Sequence, residues 1–167
     1  MKRESMNRPV YVPPDGPPRV QPPSKEIYQA MGEENIFKML EDFYRELAKS
    51  SIWSLFPTDE KELILASQKS AAFFVGLLGG PPLYQQLYGP PMMRARHLPF
   101  EIDEEARREW LRCFDAVLQH AEERYAFPAE YVAGFRDFLR GFSSWMVNVA
   151  PADFHGGEDD NLLTLSG

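Results

Sequence analysis

Three histidines occur in the chain, and only His97 stands among apolar neighbours within the body of the sequence. Leu83, Tyr84, Leu87, Tyr88, Met92, Met93, Leu98, Phe100 and Ile102 surround it, and Arg94 and Arg96 precede it within three residues. Two guanidinium groups beside one imidazole suit a planar apolar ligand with carboxylates at its rim. Haem is such a ligand, and one neutral imidazole is enough to hold its iron. A hydrogen-bonded core histidine is the plainer alternative. A metal held without porphyrin would need further ligands that are missing around His97. His120 falls on the polar side of its helix and His155 near the C-terminus.

The elements that must position these groups are helical. Ile36, Met39, Leu40, Phe43, Tyr44 and Leu47 recur at three- and four-residue steps and predict a helix over 33–49. Thr58 or Asp59 offers an N-cap to a second helix, which carries Leu63, Ala66, Ser70, Phe73, Phe74 and Leu77 on one expected face. Gly79-Gly80-Pro81-Pro82 ends it. Asp103 caps a third helix striped by Trp110, Phe114, Val117, Leu118 and Ala121, and Pro128 suits the first turn of a fourth, striped by Val132, Phe135, Phe138, Leu139, Phe142 and Met146. Residues 81–102 hold five prolines yet are densely apolar, so only short helical pieces fit there, chiefly around Met92 to His97. No segment alternates with period two strongly enough for a strand, and the expected fold is all-α with four principal helices.

Composition narrows the function classes. A length of 167 residues with 44% hydrophobic and 26% charged residues fits one folded domain, and the single Cys113 excludes an internal disulfide framework. A net charge of −7 argues against nucleic acid or anionic lipid as partner, since both select a basic face. With no run of eighteen apolar residues and no apolar leader, a soluble cytoplasmic protein is the expectation. Seven of the fifteen prolines fall in residues 1–24, which read as an extended, mobile arm before a domain at 25–150. Residues 151–167 read as an acidic solvated tail. Twelve Phe and three Trp form a large aromatic complement, for which a plain core is the simplest use.

The ordered series Gly79-Gly80-Pro81-Pro82-Leu83-Tyr84, Met93-Arg94-Ala95-Arg96-His97-Leu98-Pro99-Phe100 and Arg108-Glu109-Trp110-Leu111-Arg112-Cys113 resembles the signature of group II truncated haemoglobins. Tyr28 to Glu34 and Asp42-Phe43-Tyr44 resemble it too, so the likeness spans 26–148. The resemblance implies a globin-like two-over-two helical sandwich around haem b, with His97 as the proximal iron ligand. It implies Tyr44 and Trp110 as distal hydrogen-bond donors to dioxygen or another diatomic ligand, with Ser70 beside them. Arg96, and with it Arg94, Lys69 and Tyr84, would reach the propionates. Phe56, Ala66, Phe73, Phe74, Leu77, Met93, Leu98, Phe100, Ile102, Phe114 and Met146 would bed the macrocycle. Nitric oxide or peroxide redox chemistry would call on a reductase, and exposed aromatics would allow a homodimer.

Four positions depart from the pattern that the resemblance leads one to expect. Gly89-Pro90-Pro91 stands where the family usually shows Gly-His-Pro, Ala66 leaves no distal imidazole, Ser70 replaces Leu or Gln, and Phe56 replaces a tyrosine. Ser70 could join the distal network or bond back to its own helix. Tyr44 and Trp110 could also be large stripe residues with their polar ends satisfied elsewhere. A haem-less globin-like regulatory or scaffold protein is the alternative from another class. Retention of His97 and of small residues at Ala66, Ser70 and Ala95 weighs against it.

Overall fold

The computed structural model describes residues 9–150, and the expected acidic tail and His155 lie outside them. Among the described residues there are helices and no strands. A short helix α1 (Ile27–Met31) leads into α2 (Glu33–Ala48) and, after a 3₁₀ turn at Trp53–Leu55, α3 (Glu60–Leu77). Two short helices, α4 (Leu83–Tyr88) and α5 (Met93–His97), occupy the proline-rich stretch. Then come α6 (Glu104–Leu118), the short α7 (Ala121–Tyr125) and, after a 3₁₀ turn at Ala129–Tyr131, α8 (Val132–Ser144).

Local signals act where the sequence puts them. The Asp59 carboxylate accepts from the Glu62 amide and that of Asp103 from the Ala106 amide, each satisfying an otherwise orphaned N–H at a helix start. Gly79 has φ +109°, and a Cβ there would lie 1.9 Å from the Lys25 carbonyl oxygen. Only glycine permits that crossing, so the chain can double back before the short helices.

Two helix pairs, α2 with α3 and α6 with α8, enclose the core, with α2 also packed on α6. Phe43 and Phe114 meet at 4.1 Å between ring centroids, and Phe74 and Phe135 approach Phe114 at 5.7 and 5.6 Å. Such pairs add about 0.5–1.5 kcal/mol each beyond simple burial.

Several expectations need correction. The single apolar face expected on α3 is two faces. Leu63, Ala71, Phe74 and Val75 enter the core, while Ala66, Ser70, Phe73 and Leu77, about 100° round the helix, are half-buried on another side. The third helix stops at Leu118, and Ala121 starts α7. Pro128 precedes a 3₁₀ turn rather than entering α8, and Met146 lies beyond that helix. The described part of the N-terminal arm, 9–24, is irregular, as its prolines require, but it is docked. The Tyr11 amide donates to the Asn148 carbonyl at 3.0 Å, and Val20 sits so close to Gly141 that a Cβ there would lie 1.8 Å from its methyl.

Candidate functional site

An apolar cavity of about 240 Å³ opens between the helix pairs. Tyr44 of α2, Ala66 of α3, and Ala106, Arg107 and Trp110 of α6 line it. The connection after α2 contributes Ile52, Leu55, Phe56 and Pro57. His97 and the loop that follows it contribute Phe100 and Ile102, and the C-terminal end of α8 contributes Phe142, Ser143 and Met146.

His97 ends α5, where the helix carries its ring to the cavity wall. Its Nδ1 lies 2.6 Å from the Met93 carbonyl oxygen, one turn earlier. A carbonyl cannot donate, so Nδ1 carries the proton and Nε2 keeps its lone pair. Burial lowers the imidazole pKa below its ordinary 6.5, against a smaller opposing effect of the Met93 hydrogen bond, so the ring is neutral at pH 7. Among the described residues Nε2 has no hydrogen-bond partner, and no cluster of His, Cys, Asp or Glu could hold a bare metal ion. A neutral imidazole with one unused lone pair in an apolar cavity fits an iron whose remaining ligands would arrive with a macrocycle.

Tyr44 is held by edge contacts to Phe43 at 5.7 Å and Phe56 at 5.6 Å. Burial raises its hydroxyl pKa above 10.0, and the neighbouring Ser70 hydroxyl partly opposes the shift. The phenol therefore keeps its proton. Trp110 stands edge-on to Phe43 at 5.4 Å and to Phe114 at 5.5 Å, and its indole N–H has no partner among the described residues. A serine and two aromatic donors thus converge on one side of an apolar space.

The structure brings Tyr44, Phe56, Ala66, His97, Phe100, Ile102, Trp110 and Met146 together on the cavity wall and Ser70 just behind it. Phe73 stacks on the lining ring of Phe142 at 5.6 Å, and Leu77 lies one turn on. Phe74 and Phe114 do not line the cavity. At 2% and 0% exposure they belong to the core, because the ring cluster around Phe135 packs them away from it. Arg94 is likewise unavailable to a propionate. Its guanidinium donates to the Trp145 and Val147 carbonyls and, at 2.7 Å, to that of Tyr11, and it lies 4.6 Å from the Trp145 ring.

Arg96 donates from Nε to the Pro91 carbonyl at 2.6 Å and from Nη2 to those of Tyr88 and Pro90, and it covers the Tyr84 ring at 5.1 Å. Lys69 is exposed, 5.0 Å over the Tyr88 ring. Met93 and Leu98 flank His97 outside the lining.

Ile52, Leu55, Pro57, Ala106, Arg107, Phe142 and Ser143 also line the cavity and were not among the site residues expected from the sequence. Ala106 sits one turn before Trp110 and Phe142 one turn after Phe138, so helical spacing could have indicated both. Arg107 could not be read this way. Its position depends on a hydrogen bond to Ser143 Oγ at 3.0 Å across the pair α6 and α8.

The profile of the bacterial-like globin family matches residues 26–139. The chain is 39% identical over 94 residues to the group 2 truncated hemoglobin YjbI of Bacillus subtilis, which spans 56% of this chain and 69% of that one. The crystal structure of phosphate-bound Hell's gate globin IV superposes with a TM-score of 0.73 at 40% identity, covering 81% of this chain and 82% of that chain. The structure of a truncated oxygen-avid haemoglobin from Bacillus subtilis superposes with a TM-score of 0.64 at 34% identity, covering 72% and 98%. Two helix pairs around an imidazole-lined cavity, together with these matches, place the chain in the bacterial-like globin family as a group II truncated haemoglobin, a membership that implies a haem cofactor and haem-based binding of small ligands.

Proposed function

We propose that this chain binds haem b through His97 and there holds dioxygen or another diatomic ligand, with Tyr44 and Trp110 as hydrogen-bond donors to it. The observation that carries the reading is the imidazole of His97. Its proton is committed to the Met93 carbonyl at 2.6 Å, which leaves an unused Nε2 lone pair on the wall of an apolar cavity. Bound haem supplies an iron that can take up a diatomic ligand reversibly. The Met93 carbonyl holds the His97 ring in one tautomer and orientation and raises its basicity as a ligand.

Across the cavity Tyr44 stays protonated, because burial disfavours the phenolate. The Ser70 hydroxyl lies beside the phenol, whose proton is the donor offered to a ligand. Trp110 can only donate. The walls formed by Phe56, Ala66, Phe100, Ile102 and Met146 are apolar, and in such surroundings a donor facing a partly charged ligand is worth about 1.5–3 kcal/mol. Phe73, Leu77, Met93 and Leu98 back those walls. Arg96, Lys69 and Tyr84 are the residues assigned to the propionates, and Nη1 of Arg96 has no partner among the described residues.

Holding a ligand is favoured over redox turnover. His97 is committed as a neutral ligand, and burial favours the protonated phenol of Tyr44, so the two groups suit holding a ligand better than passing protons near pH 7. Turnover of nitric oxide or peroxide would also need electrons from a reductase.

The test is expression with ample haem, followed by absorption spectroscopy. The native chain is expected to be red with an intense Soret band, and His97→Ala to lose most of its haem on gel filtration. Native protein that emerges colourless and shows no affinity for added haemin would overturn the proposal.

A further inference from the structure

Beyond the last turn of α8 the chain turns back beneath His97, and Asn148 there is completely buried. Its side-chain oxygen accepts from the Ile102 amide at 3.0 Å. Its side-chain nitrogen donates to the carbonyls of His97 at 3.2 Å and Phe100 at 2.9 Å. Its backbone amide donates to the Ile102 carbonyl at 2.9 Å, and its own carbonyl accepts from Tyr11 at 3.0 Å. One side chain therefore grips the start, middle and end of loop 97–102, whose His97, Phe100 and Ile102 all line the cavity. Asparagine suits the place because the loop presents one donor and two acceptors. Aspartate would offer acceptors only, so both donations to the His97 and Phe100 carbonyls would be lost.

A second clamp backs the first. Arg94, one helical turn before Leu98, reaches the carbonyls of Trp145, Val147 and Tyr11. A half-buried guanidinium shared among these carbonyls, two of them just past the negative end of α8, binds α5 to that end of α8 and to the N-terminal segment at Tyr11. Val20 seated on Gly141 holds the N-terminal stretch in place. Asn148 and Tyr11 both lie outside residues 26–139, the part that matches the family profile.

We infer that Asn148 is a positioning residue for His97, and that the docked segment 9–24 holds Asn148 in place. The proposal rests on His97 being the iron ligand. Asn148 sets the angle at which α5 presents the imidazole, and the N-terminal segment transmits its own docking to that angle through Tyr11.

The test uses the full chain with haem bound. Resonance Raman of the ferrous protein reads the iron–imidazole stretching band, transfer of haemin to apomyoglobin reads haem loss, and hydrogen exchange of amides 98–102 in the haem-free protein reads the loop without the cofactor. Asn148→Asp should shift or broaden the band, speed haem loss about tenfold, the scale seen for residues behind a metal ligand, and speed exchange of the loop amides. Relative to Tyr11→Ala, which loses the same side chain but keeps the backbone donor, Tyr11→Pro removes the N–H that donates to Asn148. It should act in the same direction by about threefold, the scale of one net hydrogen bond, and it keeps the test open if Asn148→Asp does not fold.

Tyr125→Phe, which breaks a 2.6 Å hydrogen bond to Asp42 remote from the loop, should leave the band unmoved. An unchanged band and unchanged loop exchange in Asn148→Asp and Tyr11→Pro would overturn the positioning role while leaving His97 as ligand. An equal band shift in Tyr125→Phe would also overturn it. If the native protein shows no iron–imidazole band, the ligand assignment falls and the inference with it.

Discussion

Replacing Tyr44 by Phe removes one oxygen and little else. The ring contacts to Phe43 at 5.7 Å and Phe56 at 5.6 Å remain, so the cavity wall should keep its shape. What disappears is a hydroxyl that burial keeps protonated and that has the Ser70 hydroxyl beside it. A donor to a ligand with superoxide-like charge, in an apolar space, is worth about 1.5–3 kcal/mol. Since about 1.4 kcal/mol corresponds to a factor of ten, oxygen should dissociate from Tyr44→Phe roughly 10- to 100-fold faster. Stopped-flow displacement of oxygen by carbon monoxide measures the rate, and flash photolysis gives the association rate, which should change much less.

Trp110→Phe should act in the same direction, and the double variant should be non-additive if both donors serve one ligand. Ser70→Ala should give a smaller rise, about threefold, because it removes the hydroxyl beside the phenol and leaves the phenol itself in place. Oxygen dissociation rates equal to those of the native protein in both Tyr44→Phe and Trp110→Phe would refute the distal assignment.

Three further expectations concern the scaffold. Gly79→Ala places a Cβ 1.9 Å from the Lys25 carbonyl at a φ of +109°, so it should lower stability by about 2 kcal/mol or more in denaturant titration. Phe114→Ala empties a fully buried site that touches four other rings and should cost about 3–5 kcal/mol, read as a drop in melting temperature. Glu109 accepts from Arg112 and from the Ser51 amide at 3.2 Å, which ties α6 to the connection bearing Ile52, Leu55 and Phe56, and its carboxyl pKa is lowered from 4.5 to about 2, chiefly by Arg112. A depressed carboxyl pKa stabilises the fold above the ordinary value and loses that effect as pH falls. Native protein should therefore be more stable than Glu109→Gln above pH 4.5, with the gap closing as pH falls toward about 2; a gap independent of pH would show that the carboxylate does not hold this wall.

Much of the architecture was legible because helices are local. The stripe Ile36, Met39, Leu40, Phe43 and Leu47, the caps Asp59 and Asp103, and the break at Gly79-Gly80 all act through neighbours three or four residues away. The same locality explains the short α5 at Met93–His97, since flanking prolines leave room for little more. Where the pattern misled, two faces competed for one helix. Ala66, Ser70 and Phe73 are as apolar or small as residues bound for the core, and periodicity cannot tell a core from a cavity.

By itself, then, the sequence determined an all-helical chain with a histidine and two arginines beside it, because residue type and spacing are enough to define helix faces and a donor set. Only the tertiary structure decided how those groups are used. Both arginines carry the charge a propionate would need, but Arg94 is consumed by carbonyls 51, 53 and 83 positions away, a distance along the chain that no local pattern encodes. The proline-rich N-terminal stretch reads as a loose arm for the same reason. Its partners Gly141 and Asn148 lie more than a hundred residues downstream, and packing alone brings them together.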